Sequence, residues 1–444
     1  MTRRSLLLAL VLMAGAPRAH AQPTAPALPL DDVIRQALAG NAGLRGAKAG
    51  VDETSAHVDA ARAARFPRVS VSESWQRGDQ PVFVFSTLLA SRRFAATNFA
   101  IDQLNHPDAL GAFHATTAIE QLLFDGGTRR ATVDAARAQQ RMADSGVREA
   151  AQAIAAAVSD AYGQLLSAQS LRRAARGALD AGREDLARAT RRRDTGLATE
   201  ADVLALAVHV ADMEQRVIQA DGQAAVARAQ INRMSGAPID RVFEALEPDA
   251  AADAPLAPLT DLLTEAEAGR PELARAAAAR DAANAMRRGA ASAFLPKVAA
   301  QAALDITGTR LTDRASAWLV GGEVRWSLAL AGAERAQLRA AAAAVARASA
   351  EADDARQQVA ADVVAATERL RSAQARQAVG RAAVEQARES QRIVRDRYEA
   401  GLAPVNDVLR AAAALLDADA QRTAALVDAL TARAHLNRAL GRTP

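Results

Sequence analysis

The sequence predicts a mainly α-helical protein with a few β-strands, built from two copies of one unit and needing further copies of itself to complete its sheet. Three observations carry this expectation: an Ala-rich, aromatic-poor composition, a duplicated set of motifs, and a hydrophobic period that switches between 3.5 and 2. The chain has 444 residues; half are apolar, yet only 3% are aromatic and none is Cys. An apolar fraction dominated by Ala, with Leu and Val behind it, suits long, closely packed helices. Without Cys, disulfide scaffolds, thiol catalysis, thiolate metal sites and lipid attachment through an N-terminal Cys are excluded.

An isoelectric point near 10 invites a nucleic-acid reading, which the charge distribution rejects. Arg3, Arg4 and Arg18 lie in residues 1–21, which hold no acid, so the remainder carries a formal charge of +1 rather than +4. Nearly all its basic residues are Arg, with Lys48 and Lys297 the only lysines, and they interleave with Asp and Glu as on a solvated helix surface. No nucleic-acid partner is expected.

Residues 1–21 read as an export signal. Arg3-Arg4 supply the positive start, Leu6 to Ala16 an apolar stretch too short to span a bilayer, and Ala19-His20-Ala21 the cleavage site. No later run is long and apolar enough for a transmembrane helix, so the exported chain is periplasmic, secreted, or an outer-membrane β-barrel.

The duplication appears at an offset of 205 residues. Gly127, Gly196-Leu197-Ala198, Asp202-Val203-Leu204, Ala227-Arg228-Ala229, Asn232-Arg233 and Gly236 recur as Gly332, Gly401-Leu402-Ala403, Asp407-Val408-Leu409, Ala432-Arg433-Ala434, Asn437-Arg438 and Gly441. Upstream the offset is 229, with Asp32, Leu44, Pro67 and Val69 matching Asp261, Leu273, Pro296 and Val298. The first copy thus carries about 24 extra residues between Pro67 and Gly127. The first unit is placed at 22–236, a Pro-, Ala- and Asp-rich linker at 237–258, and the second unit at 259–444.

Each unit reads helix, strand pair, long helix, turn, helix. The long helices, 128–193 and 333–398, would each run about 100 Å. Small or apolar residues alternate along them at steps of four and three: Val147, Ala151, Ile154, Val158, Ala161 and Leu165 in one, Val359, Val363, Ala366, Leu370 and Ala373 in the other. A 3.5-residue period sustained this far means a coiled coil. Arg172 and Gln377 interrupt the seam at equivalent places, as register-fixing or boundary positions do. The shorter helices, about Asp31 to Arg65 and 199–235, together match the long helix in length and would stack end to end beside it; 404–440 is the second return helix. Gly196 and Gly401 would close the hairpins within turns 194–198 and 399–403. Thr199 with Asp202 is spaced as a capping box, and Pro404 suits a helix start.

Between helices the period becomes 2. Strands are expected at 67–77, 112–124, 297–307 and 317–329, with a long loop at 78–111 whose Phe residues would pack over the end of the sheet. Val69, Val71 and Trp75 alternate with Ser70, Ser72 and Ser74, and Trp318, Val320, Val324 and Trp326 share one face. Strands of 9–11 residues suit a tilted bilayer crossing, and Trp75, Trp318 and Trp326 suit the membrane interface. Four strands cannot close a barrel, and open edges in lipid would leave backbone groups unpaired, so strands must be pooled between subunits.

The ordered motifs Leu122-Leu123-Phe124-Asp125-Gly126-Gly127, Arg192-Arg193 with Gly196-Leu197-Ala198 to Leu204, and Arg397-Tyr398-Glu399-Ala400-Gly401-Leu402 to Leu409 resemble those of TolC-type outer-membrane efflux proteins. The resemblance covers nearly the whole exported chain. It implies a homotrimer with a 12-stranded β-barrel in the outer membrane of a Gram-negative cell, continued by a periplasmic α-helical barrel. Such a duct passes substrates from an inner-membrane pump and a periplasmic adaptor, in efflux or type I secretion. The resemblance places adaptor docking at the tips Gly196, Leu197, Ala198, Gly401, Leu402 and Ala403, and the entrance at Asp202, Tyr398, Asp407 and Arg410. Two departures stand out: Ala403 occupies the place of a latch Arg, and Arg410 that of a second acidic ring. A latch held differently and a less cation-selective entrance are therefore expected.

Catalysis is not expected: His57, His106, His114, His209 and His435 show no metal-ligand spacing, no nucleophile or phosphate-loop motif is present, and Gly126-Gly127 reads as a strand-to-helix corner. No cofactor is implied. The competing reading, a periplasmic coiled-coil scaffold or adaptor, shares the helices but has no use for Trp-bearing strands.

Overall fold

The computed structural model describes residues 26–247, 255–327 and 332–442. The export signal at 1–21, the middle of the linker and the end of the fourth expected strand lie outside the described residues. The first unit runs β1 (Ala27–Leu28), α1 (Leu30–Gly40), α2 (Ala42–Ala63), β2 (Arg68–Gly78), α3 (Pro81–Ala90), a 3₁₀ turn (Ala96–Phe99), α4 (Ile101–Asn105), β3 (Leu110–Phe124), α5 (Thr128–Asp194) and α6 (Glu200–Ser235). After β4 (Glu244–Ala245), the second unit runs α7 (Leu259–Gly269), α8 (Pro271–Ala291), β5 (Lys297–Arg310), β6 (Asp313–Arg325), α9 (Ala333–Glu399) and α10 (Val405–Ala439).

Three expectations are corrected. The helix expected from Asp31 to Arg65 is two helices broken at Asn41, and the equivalent break in the second unit falls at Arg270. Asn41 leaves the helical region, caps α2 by accepting from Leu44 N–H at 3.1 Å, and donates to Met234 O at 2.9 Å. Arg270 does not cap α8 with its side chain but makes the equivalent tie with a longer reach: its guanidinium donates to Arg438 O at 3.2 Å and pairs with Asp362 at 3.0 Å. Second, the 78–111 segment is largely helical rather than a plain loop, with Pro81 opening α3 at a position where a missing N–H costs nothing. Its Phe85, Phe94 and Phe99 form an edge-to-face row with centroids 4.7 and 5.0 Å apart. Third, Trp326 lies one residue past β6, where its indole N–H donates to Phe294 O at 3.2 Å.

α1 and α2 followed by α6 do stack end to end along α5. The stack is seated by a pair of glycines: a Cβ on Gly236 would lie 2.6 Å from Gly40 O. The second unit repeats the device, with a Cβ on Gly269 falling 2.7 Å from Leu440 O beside Gly441. α5 is packed on both sides, by α1, α2 and α6 of its own unit and by α8 and α10 of the other. It accordingly buries two stripes, Val158, Ala161, Leu165 and Ala168 together with Ala155, Ser159, Tyr162 and Leu166. α9 packs against α7, α8 and α10 and buries one, from Ala348 to Val384. The helices of a chain thus form an open layer with α2 and α6 at one edge and α9 at the other.

Arg172 and Gln377 behave as boundary residues. Arg172 leaves the seam to pair with Asp221 and Glu244, tying β4 to α5, while Gln377 stays buried near Arg381. Tyr162 holds the parallel β1–β4 pair against the core: its hydroxyl donates toward Leu28 O and Leu246 O at 2.8 Å and accepts from Leu246 N–H at 2.7 Å. Burial pushes this phenol up to about 12. Tyr162→Phe should cost about 1–3 kcal/mol by stranding those backbone groups, read as a fall in the unfolding midpoint with secondary structure unchanged.

The sheet order is β2-β3-β5-β6, all antiparallel. At the corner leaving β3, Gly126 and Gly127 take φ of +66° and +96°, and Asp125 caps α5. Burial opposes ionisation of Asp125, but N–H bonds from Arg129 and Gly127 and the Arg129 guanidinium outweigh it and hold the carboxyl below its ordinary range. A carboxyl whose pKa is lowered by folding stabilises above its unfolded value and loses that contribution as pH falls through the folded one. Asp125→Ala should therefore destabilise by about 1–2 kcal/mol at neutral pH. Melting curves of the two proteins should draw together as pH falls below the ordinary carboxylate range.

Candidate functional site

The four strands place two chemically distinct faces back to back. Register puts Val69, Ile119, Ala302 and Val320 in one row, and Val71, Thr117, Leu304 and Trp318 in the next. On this face Val71, Trp75, Trp318, Val320 and Val324 are each at least two-thirds exposed, a large uncovered apolar surface. The opposite face carries Ser70, Ser72, Ser74, Gln76, Thr116, Asp305 and Thr307. There His114 hydrogen-bonds Thr307 at 2.8 Å and Thr116 at 3.1 Å, and Thr116 donates to Asp305 at 2.6 Å. β2, with 11 residues, would rise about 28 Å at a tilt near 40°, which matches a hydrocarbon layer. β2 and β6 are the two edges, each with an unpaired side. Among the described residues no helix is long and apolar enough to cross a membrane.

At the far end of the helices both hairpins close identically. In α5 the N–H groups of Gly196 and Leu197 return to Arg193 O and Arg192 O at 2.9 and 2.7 Å; in α9 those of Gly401 and Leu402 return to Tyr398 O and Arg397 O at 3.0 and 2.8 Å. This is the Schellman closure, and it requires the left-handed backbone seen at both glycines, φ +75°. Leu197 and Leu402 are left equally exposed at the two tips, with Ala198 and Ala403 half-buried behind them.

Asp202 is a helix cap: its carboxylate accepts from Thr199 N–H at 3.1 Å and from the Thr199 hydroxyl at 2.8 Å, while Asp202 N–H donates to Thr199 Oγ1. Asp407 stands in the first turn of α10, 3.6 Å from Arg410, whose side chain is 80% exposed. Tyr398 packs with Leu186, Ala189, Val203, Leu206, Val405 and Leu409, joining the two hairpins. The Arg192 guanidinium lies 5.6 Å from the centre of its ring. Burial raises the Tyr398 phenol, with Arg192 pulling partly the other way. Beside it Asp185 receives Arg188 at 2.9 Å and Arg395 at 3.1 Å, and Arg188 reaches Glu399 at 3.2 Å.

Sequence reasoning missed this inter-hairpin set of Asp185, Arg188, Arg192, Arg395 and Glu399. Arg192 and Glu399 stand in the motifs that carry the resemblance, but nothing in the sequence pairs them with Asp185, Arg188 and Arg395, since the contacting residues lie on two helices and are 210 and 211 positions apart. The duplicated tip turns were legible because they recur, and Tyr398 was singled out through the family resemblance. His209 is a packing group between α5 and α6, close to Gly182, and burial pushes its imidazole pKa down. Among the described residues no group of acids and histidines is arranged to hold a metal ion.

Comparison with known proteins agrees with this arrangement. The family model described as outer membrane efflux protein matches residues 33–237 and 262–442. No curated protein matches significantly. Among solved structures, the outer-membrane channel OprN is 24% identical, with TM-score 0.76 over 93% of this chain and 89% of its own. CusC is 17% identical, with TM-score 0.80 over 93% and 92%. The outer membrane protein VceC of Vibrio cholerae is 21% identical, with TM-score 0.76 over 93% and 96%. Both units are matched in order by the family model, with the break falling at the linker, and the chain belongs to the outer membrane efflux protein family.

Proposed function

We propose that three copies of this chain form an exit duct, in which a 12-stranded barrel crosses the outer membrane and a helical tube of six hairpins reaches into the periplasm. The carrying observation is an open four-stranded sheet with one oily face and one polar face, continuous with hairpins of about 100 Å. The strands alternate in direction, so β6 of one copy and β2 of the next meet antiparallel, and the ring closes without a free edge. The helical edges match: α6 exposes Leu204, Val208, Ile218 and Val226, and α9 exposes Val364, Val379 and Ile393, apolar residues that a neighbouring copy would cover.

The duct serves an inner-membrane pump through a periplasmic adaptor, in tripartite efflux or type I secretion. The paired exposed leucines, Leu197 and Leu402, with Gly196, Ala198, Gly401 and Ala403, form the adaptor docking tips. In place of the absent latch Arg, each chain holds its hairpins together through Arg192 on Tyr398 and through Asp185 with Arg188 and Arg395. Arg192→Ala should raise the conductance of single channels several-fold, with a smaller change for Tyr398→Phe, which keeps the ring. Asp407 and Arg410 partly neutralise one another at the entrance; strong cation selectivity abolished by Asp407→Ala would overturn that assignment.

Fractionation tests the whole reading. The exported protein should be recovered from outer membranes with detergent and migrate, unboiled, as an assembly of about three chains. Recovery as a soluble monomer or dimer would instead describe a periplasmic coiled-coil scaffold.

A further inference from the structure

The segment inserted between β2 and β3 is held over the polar face of the sheet. Phe83, Ser86, Thr87 and Ala90 of α3 face Ser74, Gln76, His114 and Thr307 across a cavity of about 280 Å³. Arg92 and Arg93, directly after α3, tie it to the neighbouring β5–β6 hairpin. Arg92 donates to Ser316 O at 3.0 Å; Arg93 donates to the Thr309 hydroxyl at 2.8 Å and pairs with Asp313 at 3.4 Å. α3 ends in the same backbone closure as the tip helices, with Arg93 N–H returning to Leu88 O. Where those helices use glycine, α3 uses Arg92 at φ +57°, the one non-glycine residue with positive φ among the described residues. An arginine there trades backbone comfort for an anchor.

α3 is the most apolar helix among the described residues, Pro81-Val-Phe-Val-Phe-Ser-Thr-Leu-Leu-Ala90. It buries Val84 and Thr87 but leaves Val82 and Leu89 uncovered two turns apart, with Val82 80% exposed and Ser86, which also edges the cavity, exposed between them. Ser86 satisfies its own hydroxyl on Phe83 O, so this stripe presents no free donor.

We propose that the uncovered stripes of α3 from three copies meet one another and form an apolar constriction at the outer mouth of the barrel. The inference rests on the trimeric barrel proposed above. Dimensions favour it: twelve strands about 4.8 Å apart and tilted about 40° give a backbone radius near 12 Å. Three helices, each about 10 Å across with side chains, fill a circle of radius about 11 Å. A helix held on the inner face of each third of such a barrel has its nearest apolar neighbours in the other two copies. The constriction repels water and hydrated solutes until the anchors release α3.

Two measurements on the full-length protein in outer membranes test this. Leu89→Cys, in a chain with no other Cys, should form an inter-copy disulfide on mild oxidation. Ser72→Cys, on the polar face below α3, should react from outside with a small uncharged maleimide but at least tenfold more slowly with a bulkier, charged fluorescein maleimide. Adding Val82→Asp with Leu89→Asp, or the strain-free anchor variant Arg92→Gly, should remove that difference. Absence of the disulfide in a protein that still migrates as a trimer would overturn the constriction, as would equal reaction of Ser72→Cys with both reagents. A protein that does not assemble would instead overturn the barrel itself.

Discussion

Val320→Arg should abolish recovery of the assembled protein from outer membranes, while Leu319→Arg, one residue earlier, should leave it nearly intact. The two residues are neighbours on β6 and differ in face. Val320 lies in the row with Val69, Ile119 and Ala302; Leu319 lies in the row with Ser70, Ala118 and Ala303. An Arg facing lipid near the middle of a barrel strand costs about 2–4 kcal/mol, and a trimer carries that cost three times, about 6–12 kcal/mol, comparable to the whole stability of many proteins. An Arg facing the lumen stays in water. The readout is the amount of unboiled, heat-modifiable trimer in the outer-membrane fraction at equal expression. Equal loss for both variants would mean that the alternation does not separate lipid from lumen.

This pair of residues also marks what the sequence made legible. Alternation of Val and Trp with Ser was visible because a half-polar strand must repeat every two residues, whereas the pairing register came only with the structure. The long helices were equally plain, since a 3.5-residue period held from Val147 to Leu186 and again from Ala352 to Gln391 leaves little alternative. The joints were harder. The periodicity of α1 passes through Asn41 into α2 without a missed beat, so a continuous helix was expected. The second unit had already shown the break: the 229-residue offset lays Asn41 on Arg270, followed by Pro271, and the residue before a proline is pushed out of the helical region. Likewise the Val and Phe residues after Pro81 favour strands by propensity, and only packing against the polar face of the sheet makes them a helix. The tip contacts were illegible for another reason. Asp185 and Arg395 resemble dozens of surface charges until two hairpins from separate units are laid side by side.

Gly236→Val should strongly destabilise the helical layer, by about 2–5 kcal/mol. Two terms add. Gly236 has φ +69°, and a β-branched residue in that region costs about 1–2 kcal/mol. A side chain there would also strike the backbone of the abutting helix, its Cβ falling 2.6 Å from Gly40 O and 3.3 Å from Gly40 C, where no flexible side chain can give way. Separating the stack enough to admit it costs about 1–3 kcal/mol of packing and loosens Asn41 from Met234 O. Gly127→Val isolates the first term, because Gly127 has φ +96° but nothing within 4 Å of its would-be Cβ. It should cost only about 1–2 kcal/mol. Gly441→Val, at the same joint of the second unit, should behave like Gly236→Val, since its Cβ would meet Gly269 and Arg270 N. Chemical unfolding of the solubilised protein measures all three. If Gly236→Val and Gly127→Val proved equal, the close approach of the stacked helices would contribute nothing, and the glycine pairs would be needed for backbone conformation alone.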